Sequence, residues 1–91
     1  MAELDVVNLD DSVPASYWRV VLLDIKRGDG VAVVTLRSGV QLTGKVDRNG
    51  PSEPGISLKS GEYRGGSFTP DGGWHIVDFT AVAAITGKVD R

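Results

Sequence analysis

From Val31 onward, apolar and polar positions alternate with a period of two, as in strands that bury one face. In Val40-Gln-Leu-Thr-Gly-Lys-Val-Asp47 the apolar set Val40, Leu42 and Val46 alternates with Gln41, Thr43, Lys45 and Asp47. Gly44 falls on the apolar side, where a side chain would fill space that a sharply bent strand needs. The run Val31–Leu36 precedes this strand. Ser38-Gly39 predicts a two-residue hairpin turn between them, because glycine tolerates positive φ. Ile56-Ser-Leu-Lys59 repeats the alternation and predicts a third strand. The intervening Arg48–Gly55, with two prolines and two glycines, cannot sustain a ladder and predicts a loop.

Gly61–Gly73 predicts a second polar connection, tipped by Pro70-Asp-Gly-Gly73. Trp74–Thr80 follows as a fourth strand, and its pattern is unusual. His75, Val77 and Phe79 share one face, while Trp74, Ile76 and Asp78 share the other, so both faces carry bulky apolar groups. A strand with one wet face does not read this way. Cover is expected on both sides, the second from another subunit. Ala81–Thr86 predicts a short turn and a fifth strand.

Upstream the period is helical. Ala15, Trp18, Leu22 and Ile25 recur on one face, Pro14 suits a first turn, and Lys26-Arg27-Gly28 reads as a stop with basic charge at the C-terminal end. The β-branched Val20, Val21 and Ile25 leave a strand as the rival reading, but the agreement of start and stop signals favours a helix. Residues 1–11 carry four acidic residues and no base, and read as a loosely attached tail. The expected organisation is thus an acidic tail over 1–11, one domain over 12–86 and a short tail over 87–91. Thr43-Gly-Lys-Val-Asp-Arg48 recurs letter for letter as Thr86-Gly-Lys-Val-Asp-Arg91. Either two bent strands meet the same steric demand, or the second copy imitates the first and pairs with a sheet edge.

Composition narrows the chemistry. At 91 residues the chain suits one core, and a domain of this size buries only about 60–65% of its unfolded surface. The absence of cysteine excludes disulfides and thiolate metal sites and fits a reducing cytoplasm. The longest apolar run, Val20–Leu23, is too short to span a bilayer, and the acidic start does not resemble a signal peptide. A net charge of −2 disfavours nonspecific duplex binding, which rests on phosphate neutralisation. His75 is the only histidine, so no histidine cluster for a metal exists, and on a strand it faces away from Asp78. Gly61-Glu-Tyr-Arg-Gly-Gly66 lacks the lysine and the following helix of a phosphate-binding loop. Neither an enzyme, nor a cofactor, nor a metal is expected. Arg64-Gly65-Gly66 reads as a turn, and Lys45, Arg48 and Lys59 as a modest basic patch.

Val34-x-Leu36-x-x-Gly39-x-x-Leu42-x-Gly44-x-Val46 resembles the first motif of the Sm-like family, which includes the Hfq proteins. Val77-x-x-x-Ala81-Val82-x-x-Ile85 resembles the end of the second. With the preceding helix, the similarity covers most of residues 12–86. It implies a mostly β fold: an N-terminal helix, then a five-stranded, strongly bent antiparallel SH3-like barrel. It also implies a homo-oligomeric ring of five to seven subunits, strand four of one pairing with strand five of the next. Trp74, Ile76, Val77, Val82, Ala84 and Ile85 are the expected interface. The resemblance further implies single-stranded RNA as a partner, through the matching positions Arg48, Asn49, Phe79 and Thr80. The chain departs from the pattern there: its first loop is proline-rich, and Asp78 stands where the Sm pattern has an arginine. Losing a cation and gaining a carboxylate weakens a phosphate path. The alternative is an assembly module of phage or mobile-element type with no nucleic-acid role.

Overall fold

The computed structural model describes residues 4–7, 14–47 and 55–90. Its elements are strand β1 (Leu4–Val7), helix α1 (Ala15–Arg27), then β2 (Val31–Leu36), β3 (Gln41–Val46), β4 (Gly55–Arg64), β5 (Ser67–Asp78), a 3-10 turn (Phe79–Ala81) and β6 (Val82–Lys88). One antiparallel sheet runs in the order β1-β6-β2-β3-β4-β5. The fold is therefore mostly β, with a helix ahead of five antiparallel strands, as the periodicities predict. Among the described residues the sheet is not closed, and β1 and β5 are its two edges.

The helix ends as its sequence requires, with one difference of detail. Gly30 N donates to Ile25 O and Asp29 N to Lys26 O, both at 2.9 Å, which caps the last carbonyls in a Schellman arrangement. The left-handed residue is Asp29, with φ of 54°, rather than Gly28. Aspartate tolerates that region better than most side chains. Of the predicted face, Trp18, Leu22 and Ile25 are buried, with Val21 beside them, all at most 3% exposed, while the Ala15 side chain lies outside the described residues. They pack on Ala32, Val34, Val46, Ile56, Leu58, Val77, Phe79, Val82 and Ile85 to form the core.

Three turns and tails differ from the sequence reading. The β2–β3 connection spans four residues, 37–40, with Leu36 N donating to Val40 O at 2.8 Å and Gly39 at φ +93°. Gly61–Gly73 is not a loop. β4 and β5 continue as a long ribbon through Arg64 and Ser67, turning at Gly65 and Gly66, both at positive φ. Pro70, which lacks a ladder donor, is tolerated because β5 is an edge strand. Finally, β1 within the predicted acidic tail pairs with β6 from Leu4↔Gly87 to Val7↔Ala84.

The repeated hexapeptide flanks one strand. On one side of β2, Ala32 pairs with Gly44 and Val33 with Thr43; on the other, Ala32 pairs with Gly87 and Val33 with Thr86. Both copies therefore meet the same fully buried Ala32 at the same register. The predicted tail over 87–91 divides accordingly. Gly87 and Lys88 belong to β6, and Val89 and Asp90 hold the β4–β5 ribbon.

That hold is polar. Tyr63 OH donates to Val89 O at 2.6 Å, and Phe68 N donates to Asp90 Oδ1 at 3.1 Å. The other Asp90 oxygen lies 2.6 Å from Lys45 Nζ, which also reaches Asp29 Oδ1 at 3.3 Å. Burial alone would lower the Lys45 pKa, but the hydrogen bonds and charges of Asp90 and Asp29 outweigh it and raise it. Lys45 and the Phe68 amide in turn hold the Asp90 carboxyl below its usual range. A depressed carboxyl stabilises the fold above its unfolded pKa of about 4 and loses that contribution as pH falls through the lower, folded value. Thermal midpoints between pH 6 and 2.5 are therefore expected to fall below about pH 4, with Asp71 and Asp78, also held down, adding to the fall. Asp90→Asn should flatten that fall; an unchanged acid limb would remove Asp90 from the account.

Candidate assembly edge

Among the described residues no strand pairs with the outer edge of β5, and two large apolar side chains stand on its outer face. In its pairing with β4, Val77 lies opposite Ile56 and His75 opposite Leu58, so these turn toward the core. Trp74 and Ile76, opposite Lys59 and Ser57, turn away from it. Val77 is buried, whereas Trp74 is 55% and Ile76 82% exposed. The two-faced apolar pattern is thus met from one side only by the chain itself. Lys59 Nζ stands 5.8 Å from the Trp74 ring centroid, close enough for a weak cation–π contact that leaves much of the indole in water.

The other expected interface residues divide. Val77, Val82 and Ile85 are at most 2% exposed and belong to the protomer's own core, so their side chains are not available to a partner. Ala84 lies inside the sheet, between Thr35 and Val7. The outer edge of β6, the implied receiving edge, is taken by β1 from Ala84 to Gly87. The alternating pattern missed this because β1 is only four residues long, and nothing local in Leu4-Asp-Val-Val7 names its partner.

The positions expected to contact RNA are dispersed. Arg48 and Asn49 lie outside the described residues. Phe79 is 3% exposed and packs in the core, so it presents no ring face for a base. Thr80 is exposed, but its amide and hydroxyl both donate to Asp78 Oδ1 at 2.9 Å. Those bonds, amide first, hold the Asp78 carboxyl below its usual range and keep a negative charge beside Thr80. Sequence reading missed one cation here: Arg37 Nε donates to Thr80 O at 3.2 Å across 43 residues of chain.

A shallow hollow beside Trp74 is lined by Lys59, Ser60, Pro70, Gly72 and Gly73. The neighbouring Asp71 carboxylate accepts from Ser60 Oγ and Gly73 N, which hold its pKa down. Among the described residues no three histidine, aspartate or glutamate side chains gather to hold a metal, and no helix is long and apolar enough to cross a membrane. Compared with protein-family models, curated proteins and solved structures, this chain matches none.

Proposed function

We propose that this chain is a self-assembling module whose copies join along β5. The observation that carries this reading is the pair Trp74 and Ile76, held in water on the outer face of a strand whose outer edge meets no partner strand among the described residues. An open edge is a row of unsatisfied backbone donors and acceptors that templates pairing with another chain. Burying an isoleucine-sized side chain is worth about 1.5–3 kcal/mol, so covering both residues supplies a driving force to each contact. A homo-oligomer of five to seven subunits, as the Sm-like resemblance implies, is the assembly proposed. Single-stranded RNA is the weaker reading. Its support is Thr80 with Arg37 beside it, and Asp78 and the buried Phe79 stand against it.

The test is the mass in solution. Light scattering on the purified chain should give a multiple of the protomer, and Ile76→Asp should reduce it to the monomer. Because Ile76 is exposed, the substitution should change protomer stability by no more than about 0.5 kcal/mol. A wild-type monomer at every concentration would sink the proposal. Labelled oligo-U and oligo-A at low salt test the RNA reading, which requires saturable binding that weakens as salt rises.

A further inference from the structure

β5 carries a bulge where it passes β4. Lys59 pairs with Trp74 and Gly61 with Pro70, so Ser60 alone on β4 faces Asp71, Gly72 and Gly73 on β5. Bulges re-aim side chains and are over-represented beside functional sites. This one is pinned from within. The buried Ser60 donates through Oγ to Asp71 Oδ1 at 2.5 Å, and Gly73 N donates to the same oxygen at 2.8 Å. A β-carbon at Gly73 would lie 2.9 Å from Ser60 Oγ and push it off Asp71. Beside the bulge lies a hollow of about 200 Å³, with Pro70 and Trp74 as apolar walls and Lys59 as its one charged lining residue. Sites for drug-sized ligands span roughly 300–1,000 Å³, so this one suits a single ring.

The chemistry of the walls selects the ligand. A planar aromatic ring gains by offset stacking on an exposed indole, and Trp74 is 55% exposed. Lys59 Nζ lies 5.8 Å from the indole centroid, within reach of an acid group carried by such a ring. The surroundings favour one negative charge over two. Lys59 also lines a neighbouring hollow with Lys26, Asp29 and Lys45. There Lys45 is already engaged by Asp90 at 2.6 Å and Asp29 at 3.3 Å, and α1 brings its partly negative C-terminal end. A phosphate dianion is therefore poorly matched. We infer that the hollow beside Trp74 binds a small aromatic carboxylate, its ring on the indole and its carboxylate on Lys59. This goes beyond the assembly reading and does not rest on it. Because Trp74 also stands at the proposed joint, such a ligand and a second copy compete for one indole.

Nuclear magnetic resonance titration of the full chain tests this, with benzoate as the probe and benzamide and phenyl phosphate as its neutral and dianionic counterparts. The Gly72 and Gly73 amides and the Trp74 indole report the site, and the buried Trp18 indole is the internal control. Benzoate should shift the reporters saturably, with half-saturation below about 10 mM for so small a ligand. It should bind about threefold or more tighter than benzamide, the scale of one exposed ion pair. Lys59→Gln should erase that preference, and Trp74→Leu should weaken benzoate by about fivefold. Both positions are exposed, so both variants keep the fold. Each titration is repeated on Ile76→Ser, which removes an apolar contact from the joint without adding a charge. Binding seen only in Ile76→Ser supports the site and shows that assembly covers it. No saturable shift in either background overturns the inference, as does equal binding of benzamide or tighter binding of phenyl phosphate. A monomeric wild type that binds benzoate overturns the assembly reading alone, and an oligomer with no benzoate site in either background overturns this inference alone.

Discussion

Trp18→Ala is expected to cost about 3–5 kcal/mol, the range for deleting a large aromatic from a packed core. Trp18 is 1% exposed and, with Leu22 and Ile25, forms the helical side of the core. The sheet meets those side chains with Val34, Leu58, Val82 and Ile85, all fully buried. Removing the indole leaves a cavity bounded on both sides by packed groups, so collapse can recover only part of the loss. Small domains hold about 5–15 kcal/mol in total, so the variant should sit close to its unfolding threshold. Urea titration followed by circular dichroism should show a lower midpoint at unchanged slope. Tyr17→Ala, one position along and 44% exposed, serves as the control and should cost far less. Equal losses would mean that α1 does not close the core in solution.

Gly44→Ala should destabilise the protein by about 1–3 kcal/mol, the range for forcing extra volume into a packed interior. A β-carbon at Gly44 would lie 2.4 Å from Lys59 O and 3.1 Å from Leu58 Cβ. The first contact is with backbone and cannot be relieved by a rotamer change, so β3 and β4 must separate where Gly44 pairs with Ser60. Alanine would otherwise stabilise by about 0.4–1 kcal/mol through the unfolded chain, which makes a net loss diagnostic of the clash. For a domain of this size each kcal/mol lowers the thermal midpoint by about 4–8 °C. Gly39→Ala isolates the alternative cause, since its φ is +93° and nothing lies within 4 Å of the added carbon. Stability retained in Gly44→Ala would show that the strands do not need their close approach.

Local chemistry was readable wherever neighbours in the chain decide the outcome. The 3.6-residue spacing of Trp18, Leu22 and Ile25 requires a common helical face, and that face is the buried one. The two-residue alternation around Gly44 likewise fixes which side of β3 turns inward. The β4–β5 ribbon was hidden for a physical reason. Glu62, Arg64, Ser67 and Thr69 alternate with half-buried Gly61, Tyr63, Gly66 and Phe68, a pattern too polar to resemble a core strand. The ribbon is held instead by Val89 and Asp90, more than twenty residues away.

The candidate site shows the same division. Residues 74–78 are visibly apolar on two faces from sequence alone, because side-chain direction alternates in any strand. Which face the chain covers itself depends on pairing with β4, and only the tertiary structure places Val77 inside and Ile76 in water. Phe79 shares a face with Val77 in the alternating pattern and is buried with it; only the resemblance pointed to Phe79 as an RNA contact.

By itself, the sequence determined the mostly β fold, the helix with its buried stripe and the need for glycine at position 44. Each follows from periodicity or from the size of one side chain. Only the tertiary structure decided that β1 covers β6, that the Thr-Gly pairs opening the repeated segments flank β2, and that β5 is an edge among the described strands. Those outcomes are pairings between segments distant in the chain. Backbone hydrogen bonds, which are the same for every residue type but proline, hold them, so no local pattern of side chains announces them.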